Sequence, residues 1–228
     1  MKESHKREKH IISWLTKIKK DAKAIYLVGD IFDFWFEYKK VVPKGFVRLL
    51  GKLAEMTDDG IKIYLFVGNH DLWASNYLIK EVGITIHYES KIIQEQGKKI
   101  LISHGDNLGS GNYLYKYLRQ IFTSKICQWA FSRLHPNLAF SLAHTWSNSS
   151  RKRHETPFIS KEKETLFNYC QKQQKHKPID YYIFGHRHIP LELQLENNGT
   201  YINLGDWINH NTYAVLEKGI VQLKKYAK

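Results

Sequence analysis

Sulfur, proline and acid are all in short supply in this chain. Only Cys127 and Cys170 carry thiols, which excludes a disulfide-built fold and points to a reducing compartment. Five prolines beside 14 glycines exclude collagen-like and proline-rich classes. No run of about 18 apolar residues occurs, so no transmembrane helix is expected. The opening Met1-Lys2-Glu3-Ser4-His5-Lys6-Arg7 has no apolar segment and does not read as a secretory signal. What is left is 228 residues, 43% hydrophobic and 25% charged, enough to bury a full core and too apolar for disorder.

The shortage of acid is uneven. Lys and Arg total 35 against 22 Asp and Glu, a net charge of +13. Residues 1–23 hold eight basic and three acidic side chains, residues 110–180 hold twelve and four, and the remainder balances. A basic chain favours nucleic acid, an acidic membrane surface or phosphorylated substrates; a solubilising surface is the plain alternative. No nucleic-acid motif accompanies the charge, so nucleic acid is not an expected partner.

Ile11, Leu15 and Ile18 recur at helical spacing, and a second helical stretch surrounds Phe46, Leu49, Leu50 and Leu53. Five short apolar runs read as strands. Each ends in a polar turn: Gly29-Asp30, Gly68-Asn69-His70-Asp71, His104-Gly105-Asp106, Gly185-His186-Arg187-His188 and Gly205-Asp206-Trp207. Such nearly continuous runs fit an α/β fold whose sites form beyond the carboxyl ends of the strands. The interval from His104 to His186 is 82 residues, against 39 and 35 for the two before it. The surplus, 110–178, shows helical periodicity and predicts a helical cap inserted into a core of 1–109 and 179–228. The cap is expected to overhang the strand ends, leaving an apolar crevice lined by some of Phe122, Trp129, Phe131, Phe140 and Trp146.

Asp30, Asn69, His104, His186 and His188 carry the chemistry. Carboxylate, amide oxygen and imidazole suit Mn, Fe, Zn or Mg. The two histidines of Gly-His-Arg-His can serve two adjacent metals, and Asp30 is placed to bridge them. Taken singly, each motif also fits a helix cap, a turn or a strand-end histidine. Their succession, each after an apolar strand, favours the metal reading.

These motifs, with Phe32-Asp33-Phe34-Trp35 and Leu204-Gly205-Asp206-Trp207, resemble those of the calcineurin-like metallophosphoesterases, and within them the UDP-2,3-diacylglucosamine diphosphatases of lipid A biosynthesis. The resemblance implies a layered sandwich of two β-sheets flanked by helices, with a helical cap. It implies two divalent metal ions, Mn2+ foremost, with Asp30 bridging, Asn69, His104 and His186 completing one site, and His188 serving the other. His70 would face the phosphate, and Asp33, Asp71 and Asp106 would support the ligands rather than bind metal. The substrate would be a lipid-linked nucleotide, cleaved to UMP and 2,3-diacylglucosamine 1-phosphate. Arg151, Lys152 and Arg153 would hold its diphosphate or anionic headgroups. The location would be cytoplasmic, peripheral on the anionic inner membrane of a Gram-negative bacterium. A different nucleotide or phosphoprotein as substrate, or a binding remnant without activity, are the rival readings.

The family pattern opens with a strand ending in Asp-x-His, and these 228 residues contain no such motif ahead of Asp30. The expectation is a chain lacking about 15–20 leading residues and its first strand, with a weak second metal site. His5 and His10 are the alternative ligands.

Overall fold

The computed structural model describes residues 2–145 and 158–227, apart from 112 and 144. Its architecture follows from strands that are apolar on both faces. β1 (Ala24–Leu27) and β2 (Lys62–Phe66) pair in parallel, and β2 pairs in parallel with β3 (Thr85–His87). Side chains alternate along a strand, so Ile25, Leu27, Ile63 and Leu65 face one way and Tyr26, Tyr64 and Phe66 the other. The first set packs under α1 (Lys2–Ile18) and α2 (Val47–Asp58), against Trp14, Leu15, Leu49, Leu53 and Met56.

The second set meets another sheet. β4 (Lys91–Glu95) and β5 (Lys98–Ser103) form an antiparallel pair. β6 (Tyr181–Phe184) and β8 (Thr200–Leu204) extend it in parallel, and β7 (Pro190–Gln194) closes its far edge antiparallel to β8. The order is β4-β5-β6-β8-β7. Ile100, Ile102, Ile183 and Ile202 face Val28 and Phe66 across the gap between the sheets. On the outer face Leu101, Tyr182, Phe184 and Tyr201 pack against Leu166, Phe167 and Cys170 of α7 (Thr165–His176). Helices, sheet, sheet and helix thus form the layered α/β sandwich, and each fully buried apolar side chain contributes about 1.5–3 kcal/mol.

The hairpin of β9 (Thr212–Glu217) and β10 (Ile220–Lys225) packs Leu216, Val221 and Leu223 against the inter-sheet core. Among the described residues, no strand pairs with the outer edge of β1.

Within the insertion lie α4 (Tyr113–Thr123), α5 (Lys125–Phe131) and a helix α6 at 136–143. α3 (Asn76–Lys80) stands in the core, its first backbone N–H groups held by the Glu37 carboxylate, which accepts from Ser75 N and Tyr77 N. α7, inside the expected insertion of 110–178, packs on the outer face of the five-stranded sheet. The insertion leaves and returns at one neck, because a Cβ on Gly109 would touch Thr165. Phe122, Phe131 and Phe140 pack down onto Phe34, Phe36, Tyr38 and Trp73, and the Trp73 indole N–H donates to the Phe122 carbonyl at 2.6 Å. Trp129 instead stays exposed, and Trp146 lies outside the described residues.

Candidate metal centre

The carboxyl ends of β1, β2, β5 and β6 come together, and the turns after them bring four of the five candidate ligands within reach. One oxygen or nitrogen from each of Asp30, His104 and His186 lies within 4.8 Å of the other two. Asn69 joins them, its Oδ1 3.3 Å from His104 Nε2. His104 Nε2 is also 3.3 Å from Asp30 Oδ2.

Glycines make the convergence possible. A Cβ on Gly68 would fall within 3.0 Å of the Asp30 backbone nitrogen and carboxylate, and one on Gly29 would strike the His104 ring. Gly185 sits equally close under the Val28 carbonyl. The candidate ligands are bent into place: Asp30, His186 and His188 all adopt left-handed backbone, with φ of 54°, 64° and 56°. Such residues cost of order 1–3 kcal/mol each and persist where surrounding structure forces them.

The hydrogen bonds decide what the centre can hold. The Val28 carbonyl can only accept, so His104 Nδ1, 2.9 Å away, carries the proton. In a neutral ring Nε2 then presents a lone pair toward Asn69 Oδ1 and Asp30 Oδ2, which are acceptors too. Three acceptors aimed at one point need either a proton or a cation among them. Without a metal the proton serves. Burial opposes charge on His104, but the Asp30 carboxylate outweighs it and raises the imidazole pKa to about 10. Burial likewise works against the Asp30 anion, yet His104 and His70 hold its pKa well below the usual carboxylate range. The donor set, its geometry and a second-row hydrogen bond that fixes the tautomer all fit a divalent ion.

The supporting acids behave as their positions suggest. Asp71 is fully buried and ties two of the turns together: Oδ1 accepts from Gly68 N at 2.5 Å and Oδ2 from Ile31 N at 2.9 Å. Its pKa is raised, first by burial and then by the Asp30 charge. Asp106 reaches the insertion, accepting from Tyr115 Oη at 2.5 Å and Arg119 Nε at 3.0 Å. Asp33 offers its carbonyl to His70 Nδ1 at 3.1 Å, which turns His70 Nε2 toward Asp30 Oδ2, 3.9 Å away.

His188 is partly buried, its pKa lowered by that burial against the pull of Asp30 and Asp206. His10 lies against Trp207 and Tyr226. Arg151 and Arg153 lie outside the described residues. Two residues of the site went unnoticed in the sequence: Glu164, whose Oε2 is 3.1 Å from Arg187 Nε, and Asn203, whose amide donates to the Gly185 carbonyl. Neither sits in a motif, and only the fold brings them to the turn.

The sequence profile of the calcineurin-like phosphoesterases matches residues 4–190. This chain belongs to that family. It is therefore a phosphoesterase-class hydrolase. A protein of Porphyromonas gingivalis named UDP-2,3-diacylglucosamine hydrolase is 36% identical, covering 91% of this chain and 85% of its own length. Proteins of the same name from Edwardsiella ictaluri and Aeromonas hydrophila are 27% and 26% identical, over 84% and 90% of this chain. A solved structure from Streptococcus pneumoniae TIGR4, described as a predicted phosphoesterase, aligns with 91% of this chain and 74% of its own at 14% identity and a TM-score of 0.38. That likeness is too loose to argue from.

Proposed function

We propose that this enzyme hydrolyses the diphosphate bond of UDP-2,3-diacylglucosamine, giving UMP and 2,3-diacylglucosamine 1-phosphate for lipid A biosynthesis. The observation that carries the reading is the similarity to the Porphyromonas gingivalis hydrolase, which runs through both the ligand turns and the insertion. Asp30, Asn69, His104 and His186 would hold one divalent ion, and Asp30 with His188 the other; Mn2+ is the proposed metal. Bound there, such ions supply charge neutralisation at the phosphoryl oxygens and a water acidic enough to attack.

The protein's own groups do the rest. Asp71 and the close-packed glycines keep the Asp30 carboxylate fixed, so no reorganisation is needed as charge develops. His70, its Nδ1 3.1 Å from the Asp33 carbonyl, is proposed to face the phosphate, stabilising charge there or protonating the leaving group. Arg151 and Arg153 are proposed to pair with the diphosphate.

The insertion supports a lipid substrate and an anionic membrane surface as partner. α4 and α5 leave Leu114, Tyr117, Ile126 and Trp129 exposed at 72%, 62%, 80% and 60%, beside Lys116 and Lys125. No described helix is long and apolar enough to cross a membrane, so attachment would be peripheral. The test is release of UMP from UDP-2,3-diacylglucosamine with Mn2+, compared with UDP-N-acetylglucosamine and a phosphopeptide. Hydrolysis confined to either comparison compound would refute the lipid assignment.

A further inference from the structure

Glu164 stands at the C-terminal foot of the insertion, at the residue before α7. Its side chain does not cap that helix. It turns to Arg187, with Oε2 3.1 Å from Nε, and the carboxylate is 3% exposed against 18% for the guanidinium. Its second oxygen, Oε1, is buried with no hydrogen-bond partner among the described groups. A carboxylate held this way is costly to bury, and removing its partner leaves an uncompensated buried charge. Arg187 lies between His186 and His188, the two left-handed histidines of the turn. The rest of the turn is already pinned: Gly185 under the Val28 carbonyl, the Gly185 carbonyl by Asn203 Nδ2 and by Arg187 N. Arg187's side chain is the handle by which the insertion reaches this turn.

We propose that Glu164 is a positioning residue for the metal centre: by gripping Arg187 it holds the His186–His188 turn in the form that presents both imidazoles, so that the seat of the insertion and the affinity for metal are linked. The inference rests on reading His186 as a metal ligand. The same arrangement has a counterpart at the other foot, where Arg119 of α4 grips Asp106 beside His104, so both ends of the insertion reach a ligand-bearing turn.

The test is Mn2+ titration of the 228-residue protein by calorimetry, together with thermal unfolding of the metal-free form. Glu164→Gln and Arg187→Ala are each expected to weaken Mn2+ binding roughly 10–100-fold, the usual effect of removing a group behind a ligand. The double variant should be no weaker than the poorer single, because both act through one contact. Imidazole signals of His186 and His188 in the metal-free protein should shift in Glu164→Gln. If that variant does not fold, Glu164→Asp, which keeps the charge and shortens the reach, is read the same way. Wild-type Mn2+ affinity in a folded Glu164 variant, even one with a lowered Tm, would overturn the proposal and leave the metal centre standing. A wild-type protein that binds no Mn2+ would overturn the metal reading itself, and this inference with it.

Discussion

His104 is braced by Val28 across the sandwich: the imidazole follows β5 of one sheet, and the carbonyl 2.9 Å from its Nδ1 follows β1 of the other. The two sheets are therefore locked together at a candidate ligand, and Nε2 points where Asp30 and Asn69 converge.

Metal stoichiometry should reflect this asymmetry. Among the described residues, Asp30, His104 and His186 gather with Asn69, while His188 falls outside that group, with the Asp30 and Asp206 charges acting on it. Titration should show one tight Mn2+ and a second bound much more weakly. His104→Ala or His186→Ala should remove the tight ion, and His188→Ala should spare it. Two equally tight ions in the 228-residue protein would mean that another group, such as His5 or His10, completes the second centre.

Gly68→Ala should be disproportionately harmful for a single methyl. The new Cβ would lie within 3.0 Å of three Asp30 atoms, and relief requires the carboxylate to move. A displacement near 1 Å typically costs about 10²-fold in rate, and overpacking about 1–3 kcal/mol in stability. Turnover and denaturant unfolding measured together would check both; unchanged turnover would show that the turn can relax.

Acid sensitivity should have a contribution from Asp206. Although half-burial works against its charge, backbone N–H groups of Asn209, His210 and Ile208 hold its pKa below the ordinary carboxylate value. A folded-state pKa below the unfolded one adds stability that is present above about pH 4 and is lost as pH falls further. Asp206→Asn should lower stability at neutral pH and flatten that acid loss. A wild-type slope between pH 5 and 2, taken from unfolding curves, would count against it.

Binding to anionic vesicles should draw on both charge and apolar surface. Trp129, stacked beside Arg133 at 5.1 Å, should shift its fluorescence to the blue on binding. Raising salt from 0.1 M to 1 M shortens the Debye length from ~10 Å to ~3 Å and should weaken attachment, and Ile126→Ser with Trp129→Ser should weaken it at every salt concentration. No sedimentation with vesicles at low salt would refute peripheral attachment.

The ligand turns were legible because each combines two local signals, an apolar strand and a polar cluster at its carboxyl end. Tyr181–Phe184 was bounded by those signals alone. The edge strands escaped notice. β4, largely exposed, lacks the continuous apolar run of a buried strand, although Gln96 and Gly97, both with positive φ, mark its turn. The β9–β10 hairpin carried the same signal in Lys218-Gly219, with φ of 50° and 78°, the geometry of a two-residue hairpin turn. That α7 packs on a sheet could not be read from its sequence, because its helical periodicity is the same whether it faces a cap or a sheet. Glu164 was invisible for a different reason: its partner lies 23 residues away, and no local pattern announces such a pairing.

The neck at Gly109 and Thr165 gives the insertion the character of a plug-in part. The chain departs at Gly109 and is back beside it at Thr165, so the length of what lies between can change without rerouting a core strand. A different substrate-reading module could be fitted to the same hydrolytic base, with one condition on its design. It would have to arrive with a cation for Asp106 at one foot and a carboxylate for Arg187 at the other, or the ligand turns would lose their bracing along with the old module.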